Sequence, residues 1–488
     1  MVYFLFGEIG AGDSSGRAAR RPNLVAHEEP GGGDLPARWR RTMSRRFAVS
    51  GVRVQGSGRN LTPDTSHSNT HSLPGPDDIS RAALPNGIVV LARSNFNSPS
   101  AVVSGYLNAG SIFDSDEKLG LADFVTSALM RGTETYTFEE MYDKLESVGA
   151  SLGFSAGTIT VGFSGRCLAE DLPLLFELLA EALRHPTFPK KELEKLRAQL
   201  LTGLAIRTQD TADQASLAFD EMVYAGHPYR RPDDGYPETV RAITRRDIVD
   251  FHRKHFGPRG LTLSVVGAVE TEVVTSLVEK WLGDWGNPQQ PELPPLPEIR
   301  PLTSIQRKHI PLPGKAQTDI ILGAAGPSRT SPDYLPASLG NSILGQFGMM
   351  GRIGEVVREQ SGLAYYAYSS LSAGYGPGTW EVSAGVNPAN VEKTIELMRA
   401  ELRRFVQDGV SDEELADSQA NFVGRLPLSL ESNGGMASAL LNIERYGLGL
   451  DYYRRYESLT RAMTPEQVTE TARKYLHPDR IAIASSGG

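Results

Sequence analysis

Nowhere in this chain does an apolar run approach the roughly 20 residues that a membrane-spanning helix requires, so a soluble chain with no membrane insertion is expected. Cysteine is almost absent: Cys167 stands alone, and no disulfide framework can form. It falls in an alternating, strand-like run over 158–167, where a small buried thiol is expected rather than a reactive one. An excess of basic charge is missing too. The formal net charge is −8, so no positive field is available to gather nucleic acid or an anionic membrane surface.

What is present is length. At 488 residues the chain exceeds one compact core, and two or three domains are expected. The opening MVYFLFGEIG starts apolar, but it has no basic leader and Glu8 interrupts it, which argues against a secretory signal. Residues 35–63 carry seven arginines (Arg38, Arg40, Arg41, Arg45, Arg46, Arg53 and Arg59) and no acid. That composition suits an organellar transit peptide. The first 34 residues, with several acids and no helical period, favour a disordered extension or a gene start placed too early. A cytoplasmic location is therefore favoured, with the Arg-rich segment leaving an organelle open.

Ordered sequence is expected from about Asp78. Two short strands joined at Pro85-Asn86-Gly87 form a hairpin signal, and a third strand follows over 100–110. Helical patterns cover 119–130 and 138–148, two strands span 150–166, and helices follow over 169–184, 190–207 and 212–224. Strands and helices are clustered rather than alternating, which favours α+β. The chain also repeats itself. Residues 243–267 align without a gap on 463–487, pairing Thr244 with Thr464, Lys254 with Lys474, Pro258 with Pro478 and Gly267 with Gly487. Residues 188–204 align on 410–426 at nearly the same offset. Two tandem copies of one domain follow. The expected organisation is an extended segment over 1–77, a first domain over 78–285, a proline-rich linker over 286–303 and a second domain over 304–488. The linker is stiff, and is expected to hold the halves far enough apart to face each other.

From about Asp78 onward the chain resembles the pitrilysin/insulinase-type metallopeptidases, the inverted zincins. Four features carry the resemblance: the tandem halves, NAGSIFDSDEKLGLADFVTSALMRGT, the FPKKELEKLRAQLL helix with its later Gly-His-Pro turn at 226–228, and VVREQSGLAYYAYSS. The resemblance implies two tandem α+β domains, each a mostly antiparallel sheet packed with helices, forming half of a clam-shell chamber. In that family H-x-x-E-H places two zinc ligands one helical turn apart with a general base between them, and a later helix adds a glutamate. Aligned on Gly120-Leu121-Ala122 and Arg131-Gly132-Thr133, the first His position holds Asp123, the Glu position Thr126, the second His position Ser127 and the later Glu position Gly203. One carboxylate and two hydroxyls do not replace three zinc ligands and a base. The chain is expected to hold no metal, to be inactive alone, and to require zinc in a partner. His252 and His255 lie one turn apart, but nothing completes a ligand set, so a solvated or partly packed helix face is expected; His185 and His227 read as loop histidines.

The second half keeps another part of the chemistry. By the same resemblance, Arg358 and Tyr365 match an Arg/Tyr pair that reaches across a closed chamber to the oxyanion at a zinc site, with Tyr366 as the competitor for register. The implied protein is the zinc-free subunit of a heterodimeric metalloendopeptidase, similar to the mitochondrial processing peptidase. Its expected partners are a catalytic H-x-x-E-H subunit and an unfolded peptide held partly by strand addition. The strand at 106–111 is a candidate for the peptide-pairing edge. Gly345, Gly348 and Gly351, in a loop over 344–351, are candidate substrate contacts, with a plain connector an equal reading. The alternative function is a structural or peptide-binding scaffold with no part in catalysis, like the core proteins of respiratory complexes.

Overall fold

The computed structural model describes residues 73–346 and 351–488. The expectations for residues 1–72, and that for Gly348, lie outside the described residues. Eleven strands among the described residues form two sheets. The first contains β1 (Ser80–Ala83), β2 (Val89–Ser94), β3 (Ser100–Leu107), β4 (Ser151–Ala156), β5 (Val161–Leu168) and β6 (Thr262–Gly267), in the order β1-β2-β6-β3-β5-β4. The second contains β7 (Gln306–Pro311), β8 (Thr318–Ala325), β9 (Ala364–Ala373), β10 (Pro377–Val386) and β11 (Ala482–Gly487), in the order β7-β11-β8-β10-β9. Leaving out β1, the two orders are the same. Each sheet has one parallel pair, β2 with β6 and β7 with β11, and is otherwise antiparallel. The fold is α+β.

The repeat seen in the sequence is a repeat of structure. The first half supplies α1 (Leu121–Ala128), α2 (Phe138–Ser147), α3 (Leu172–Arg184), α4 (Lys190–Arg207), α5 (Thr211–Val223), α6 (Pro237–Ala242), α7 (Arg245–His255) and α8 (Thr271–Leu282). The second half supplies α9 (Tyr334–Gly345), α10 (Gly351–Gly354), α11 (Val391–Asp408), α12 (Asp412–Leu430), α13 (Asn433–Arg445), α14 (Tyr452–Arg461) and α15 (Pro465–Tyr475). Thr244 and Thr464 open α7 and α15 with the same reciprocal cap, one through Asp247 and the other through Gln467. Gly267 and Gly487 end β6 and β11 where another backbone passes too close for a side chain. A Cβ on Gly267 would lie 2.3 Å from the Ser100 carbonyl, and one on Gly487 2.3 Å from Thr318 Oγ1, at the starts of β3 and β8.

Each sheet packs one face against helices of its own half. Phe124, Phe176, Leu179 and Val103 belong to the first core, and Trp380, Phe405, Leu339 and Ile320 to the second. The opposite faces are covered by exchange. Helix α5, encoded in the first half, lies on β7, β8 and β11, where Ala215, Ala218 and Phe219 meet Ile321, Ala482 and Ala484. Helix α13, encoded in the second half, lies on β3 and β6, where Ala437, Leu440 and Ile443 meet Leu91 and Val266. Small residues bring α13 close enough for Ser264 Oγ to donate to the Ala437 carbonyl at 2.9 Å. At its start, Asn433 donates to the Ser100 carbonyl at 3.1 Å and accepts from Asn95 at 2.7 Å.

Two expectations are corrected by this packing. Residues 286–305 carry no helix or strand, but the halves they join are clasped rather than held apart, because each needs the other's helix to bury its sheet. Ile299 and Leu302 of the connector themselves pack against the α5 contact. The strand expected as a pairing edge, 106–111, is interior: β3 is bonded to β6 on one side and β5 on the other, and ends at Leu107. The edges on that side of the two sheets are β4 and β9. The clasp predicts that Leu440→Ala, which opens a cavity at a fully buried point of the exchange, costs about 2–5 kcal/mol. Denaturant unfolding would measure it, and an unchanged midpoint would contradict the clasp's importance.

Candidate functional site

Helix α1 is fixed before it begins. The buried carboxylate of Asp114 accepts from the N–H groups of Gly120 and Ala122 at 3.0 and 3.1 Å, satisfying free donors at the helix start. Burial pushes the Asp114 carboxyl well above the usual range, while those two N–H groups and Arg231 pull the other way. Gly120 takes a left-handed conformation, φ +91°, in which a side chain would also strike the Asp234 carbonyl. Helix α4 packs against α1, and Arg197 of α4 lies over the Phe124 ring at 4.9 Å from its centroid.

This frame brings the four motif positions onto two contacting helices. Asp123 and Thr126 are buried, Ser127 is half-buried, and Thr126 Oγ1 has no hydrogen-bond partner among the described residues. Gly203 on α4 faces open space: a Cβ there would meet nothing within 4 Å. The geometry has room for a fourth side chain, but the donor set does not fit zinc. One carboxylate beside two neutral hydroxyls lacks the nitrogen or sulfur ligands that hold a tetrahedral ion.

The histidine pair is packed rather than solvated. His255 is buried between Phe113 and Phe251, with ring centroids 4.4 and 4.5 Å away. His252 shares a hydrogen bond with the Leu183 carbonyl at 2.9 Å and stacks on Phe256. Desolvation lowers both to about 4. His227 is also buried; its Nδ1 accepts from the Tyr229 N–H at 3.1 Å and caps a short helical turn. Cys167 is buried, and desolvation pushes its thiol up to about 12, in line with an inert packing role.

The loop expected over 344–351 is shorter than the sequence suggests. Helix α9 runs through Gly345, where a Cβ would lie 2.1 Å from the Ser369 amide of β9. At Gly351, φ +62°, a Cβ would lie 2.5 Å from the Ile343 carbonyl. Packing against β9 and the end of α9 accounts for both glycines, and Gly345 is buried, so it offers no substrate-facing surface.

Beyond Gly351 the backbone departs from regular geometry twice. Residues Glu355–Gln360 form a π-helical turn that carries Arg358. After a stop at Gly362, φ +61°, β9 begins. Tyr366 pairs with Gly385 and Ala364 with Val386, so Tyr365 is the extra residue of a bulge, with no cross-strand partner. Its side chain is 81% exposed and makes no hydrogen bond among the described residues. Tyr366 is committed elsewhere. Its hydroxyl donates to the buried carboxylate of Asp319, which also accepts from Thr211 of α5 and from Gln317. Burial and Asp319 push the Tyr366 phenol far above its ordinary range. Arg358 is partly exposed, and Glu359 Oε1 lies 3.5 Å from its Nε. The sequence pointed to Arg358 and Tyr365 but held no signal for the bulge or the π-turn.

Two outcomes follow from the packed histidines and the emptied motif. Both imidazoles titrate ordinarily near 6.5 when unfolded and near 4 when folded, so the unfolded chain binds more protons between those values. Stability is then fully retained above about 6.5 and falls as pH drops toward about 4, by at most about 1.4 kcal/mol per pH unit per histidine. Unfolding of His255→Phe across that window should show a shallower pH dependence than the unmodified chain. Separately, Asp123→His, Thr126→Glu, Ser127→His and Gly203→Glu together should take up about one zinc per chain. Metal analysis of the purified proteins should find far less on the unmodified chain; equal uptake would contradict the reading of these four positions.

Comparison with known proteins agrees with this frame. The family model described as insulinase (peptidase family M16) matches residues 89–226, and the one described as peptidase M16 inactive domain matches 242–422. The second match lies wholly beyond α1, so the loss of the zinc ligands rests on the residues themselves. An uncharacterized zinc protease of Streptomyces coelicolor is 26% identical over 366 residues, covering 74% of this chain and 79% of that protein. The beta subunit of the mitochondrial-processing peptidase of Saccharomyces cerevisiae is 24% identical over 424 residues, covering 82% and 87%. A crystal structure titled peptidase M16 inactive domain, from Pseudomonas fluorescens, superposes with a TM-score of 0.77 at 26% identity, covering 84% of this chain and 98% of that one. A protease from Helicobacter pylori shares the fold, with a TM-score of 0.78 at 18% identity over 85% of this chain and the whole of that one. With two consecutive family models, relatives matched over most of their length and a shared fold, this chain belongs to the insulinase, or M16, family of peptidase-like proteins.

Proposed function

We propose that this chain is the zinc-free subunit of a two-chain metalloendopeptidase, and that Arg358 and Tyr365 serve a zinc site carried by a partner with intact H-x-x-E-H. The observation that carries the reading is the bulge at Tyr365. A tyrosine lifted out of register in an edge strand, 81% exposed and unbonded among the described residues, is a costly use of a large apolar ring unless something outside covers it. The π-turn on the other side of the Gly362 stop supports the same reading, since such turns recur where a side chain must be re-aimed. A phenol and a guanidinium are donors suited to the negative oxygen of a tetrahedral intermediate. The β9 edge gives an extended peptide backbone groups to pair with.

Arg358 beside Glu359 favours the second reading, a scaffold that assembles with a peptidase and takes no part in catalysis. Co-expression with the H-x-x-E-H partner, followed by assay on an unstructured peptide, separates the two. Arg358→Ala and Tyr365→Phe should each lower turnover by about 10²–10³ while the complex elutes unchanged from a sizing column. Undiminished cleavage by both variants in an intact complex would leave only the scaffold.

A further inference from the structure

A cavity of about 130 Å³ opens at the seam where the halves meet, beside the last residue of α13. Its wall includes Arg445 and Tyr446, Tyr375 from the turn between β9 and β10, and the turn between β4 and β5. Arg445 lies over Tyr106 of β3, with its guanidinium carbon 4.1 Å from the ring centroid. Tyr106 is in turn hydrogen-bonded to Tyr375. Among the described residues Arg445 has no ion pair and no hydrogen bond, and its Nε is buried without a partner. The adjacent acid is occupied, since Glu444 pairs with Arg81 at 2.7 Å. The half-buried acids Asp220 and Glu381 act on Tyr224, which lines the cavity, and come within ion-pair distance of no cation among the described residues.

Arg329 repeats the pattern on the other side of Tyr446. It sits 4.2 Å over Tyr334, 5.6 Å over Tyr446 and 5.7 Å over Tyr452, bonded through its side chain only to the Tyr452 hydroxyl at 3.3 Å and to no carboxylate. Arg445 is half-buried, with its Nε shut off from water and without an acceptor, so an anion supplied from outside would satisfy donors that the fold leaves open. Stacking on a ring fixes the plane of the fork, leaving its N–H groups in the geometry that grips a carboxylate with two bonds. The cavity admits a carboxylate on a short stem.

We propose that Arg445 forms a carboxylate-binding site at the seam, taking either the C-terminal carboxylate or an Asp or Glu side chain of an extended peptide. The site stands apart from the Arg358/Tyr365 reading, because binding to this chain alone, without partner or zinc, is what reveals it. The probes are three fluorescein-labelled unstructured peptides of one sequence: acid-free with a free C-terminus, acid-free and amidated, and amidated with one internal Glu. Fluorescence anisotropy on the unmodified chain should show at least one carboxylate peptide binding about tenfold or more tighter than the amidated acid-free peptide, and which one identifies the source. Arg445→Gln should erase that difference and leave the amidated peptide unchanged. Equal affinities for all three peptides on the unmodified chain, no binding by any of them, or a carboxylate preference that survives in a folded Arg445→Gln protein would overturn the proposal. If Arg445→Gln does not fold, Arg445→Lys must weaken the preference, and its failure to do so is equally decisive.

Discussion

The reciprocal covering of the two sheets is the constraint on which the rest of the molecule depends. A mixed sheet with apolar residues on both faces must be buried twice, and each half brings only enough helix for one face. Helix α5 meets this need for the second sheet and α13 for the first. The exchange places residues distant in sequence side by side. Tyr366 and Thr211 converge on one buried Asp319, and Arg445 rests on Tyr106. The seam is therefore the part of the chain where polar chemistry is most tightly held.

Catalytic potential is divided unevenly over this frame. The α1–α4 contact is complete as packing, with Asp114 holding the helix start and Arg197 lying against Phe124, yet its ligand positions are filled by Asp123, Thr126, Ser127 and Gly203. The stretch of the second half that leads into β9, the counterpart of β4, shows the reverse. There the packing is interrupted by a π-turn and a bulge, and two side chains suited to donate to an anion are presented outward. The backbone is regular at the α1–α4 contact and irregular beside Arg358 and Tyr365.

Much of this was legible in the sequence, for definable reasons. Helix and strand periods located the elements between Asp78 and Tyr224 within a few residues, and the gapless match of 243–267 to 463–487 revealed the duplicated architecture because capping residues and closely packed glycines recur at the same positions. The exchange was not legible: an apolar stripe such as Ala215, Ala218 and Phe219 declares that a helix is covered, but not by which sheet. The choice between Tyr365 and Tyr366 was likewise hidden, since alternation assigns opposite faces and a bulge resets that count by one. Arg445 escaped notice because arginines at a helix end are common, and only in three dimensions is its neighbouring acid, Glu444, seen to be taken by Arg81.

The clasp also bears on whether either half could stand alone. One repeat by itself would leave the outer face of its sheet bare and its own exchange helix with nothing to rest on. The other half supplies both missing surfaces at once and receives the same in return. Separated at the connector, the two halves would each carry an uncovered apolar sheet and an unsupported apolar helix, so cutting the backbone there need not part them.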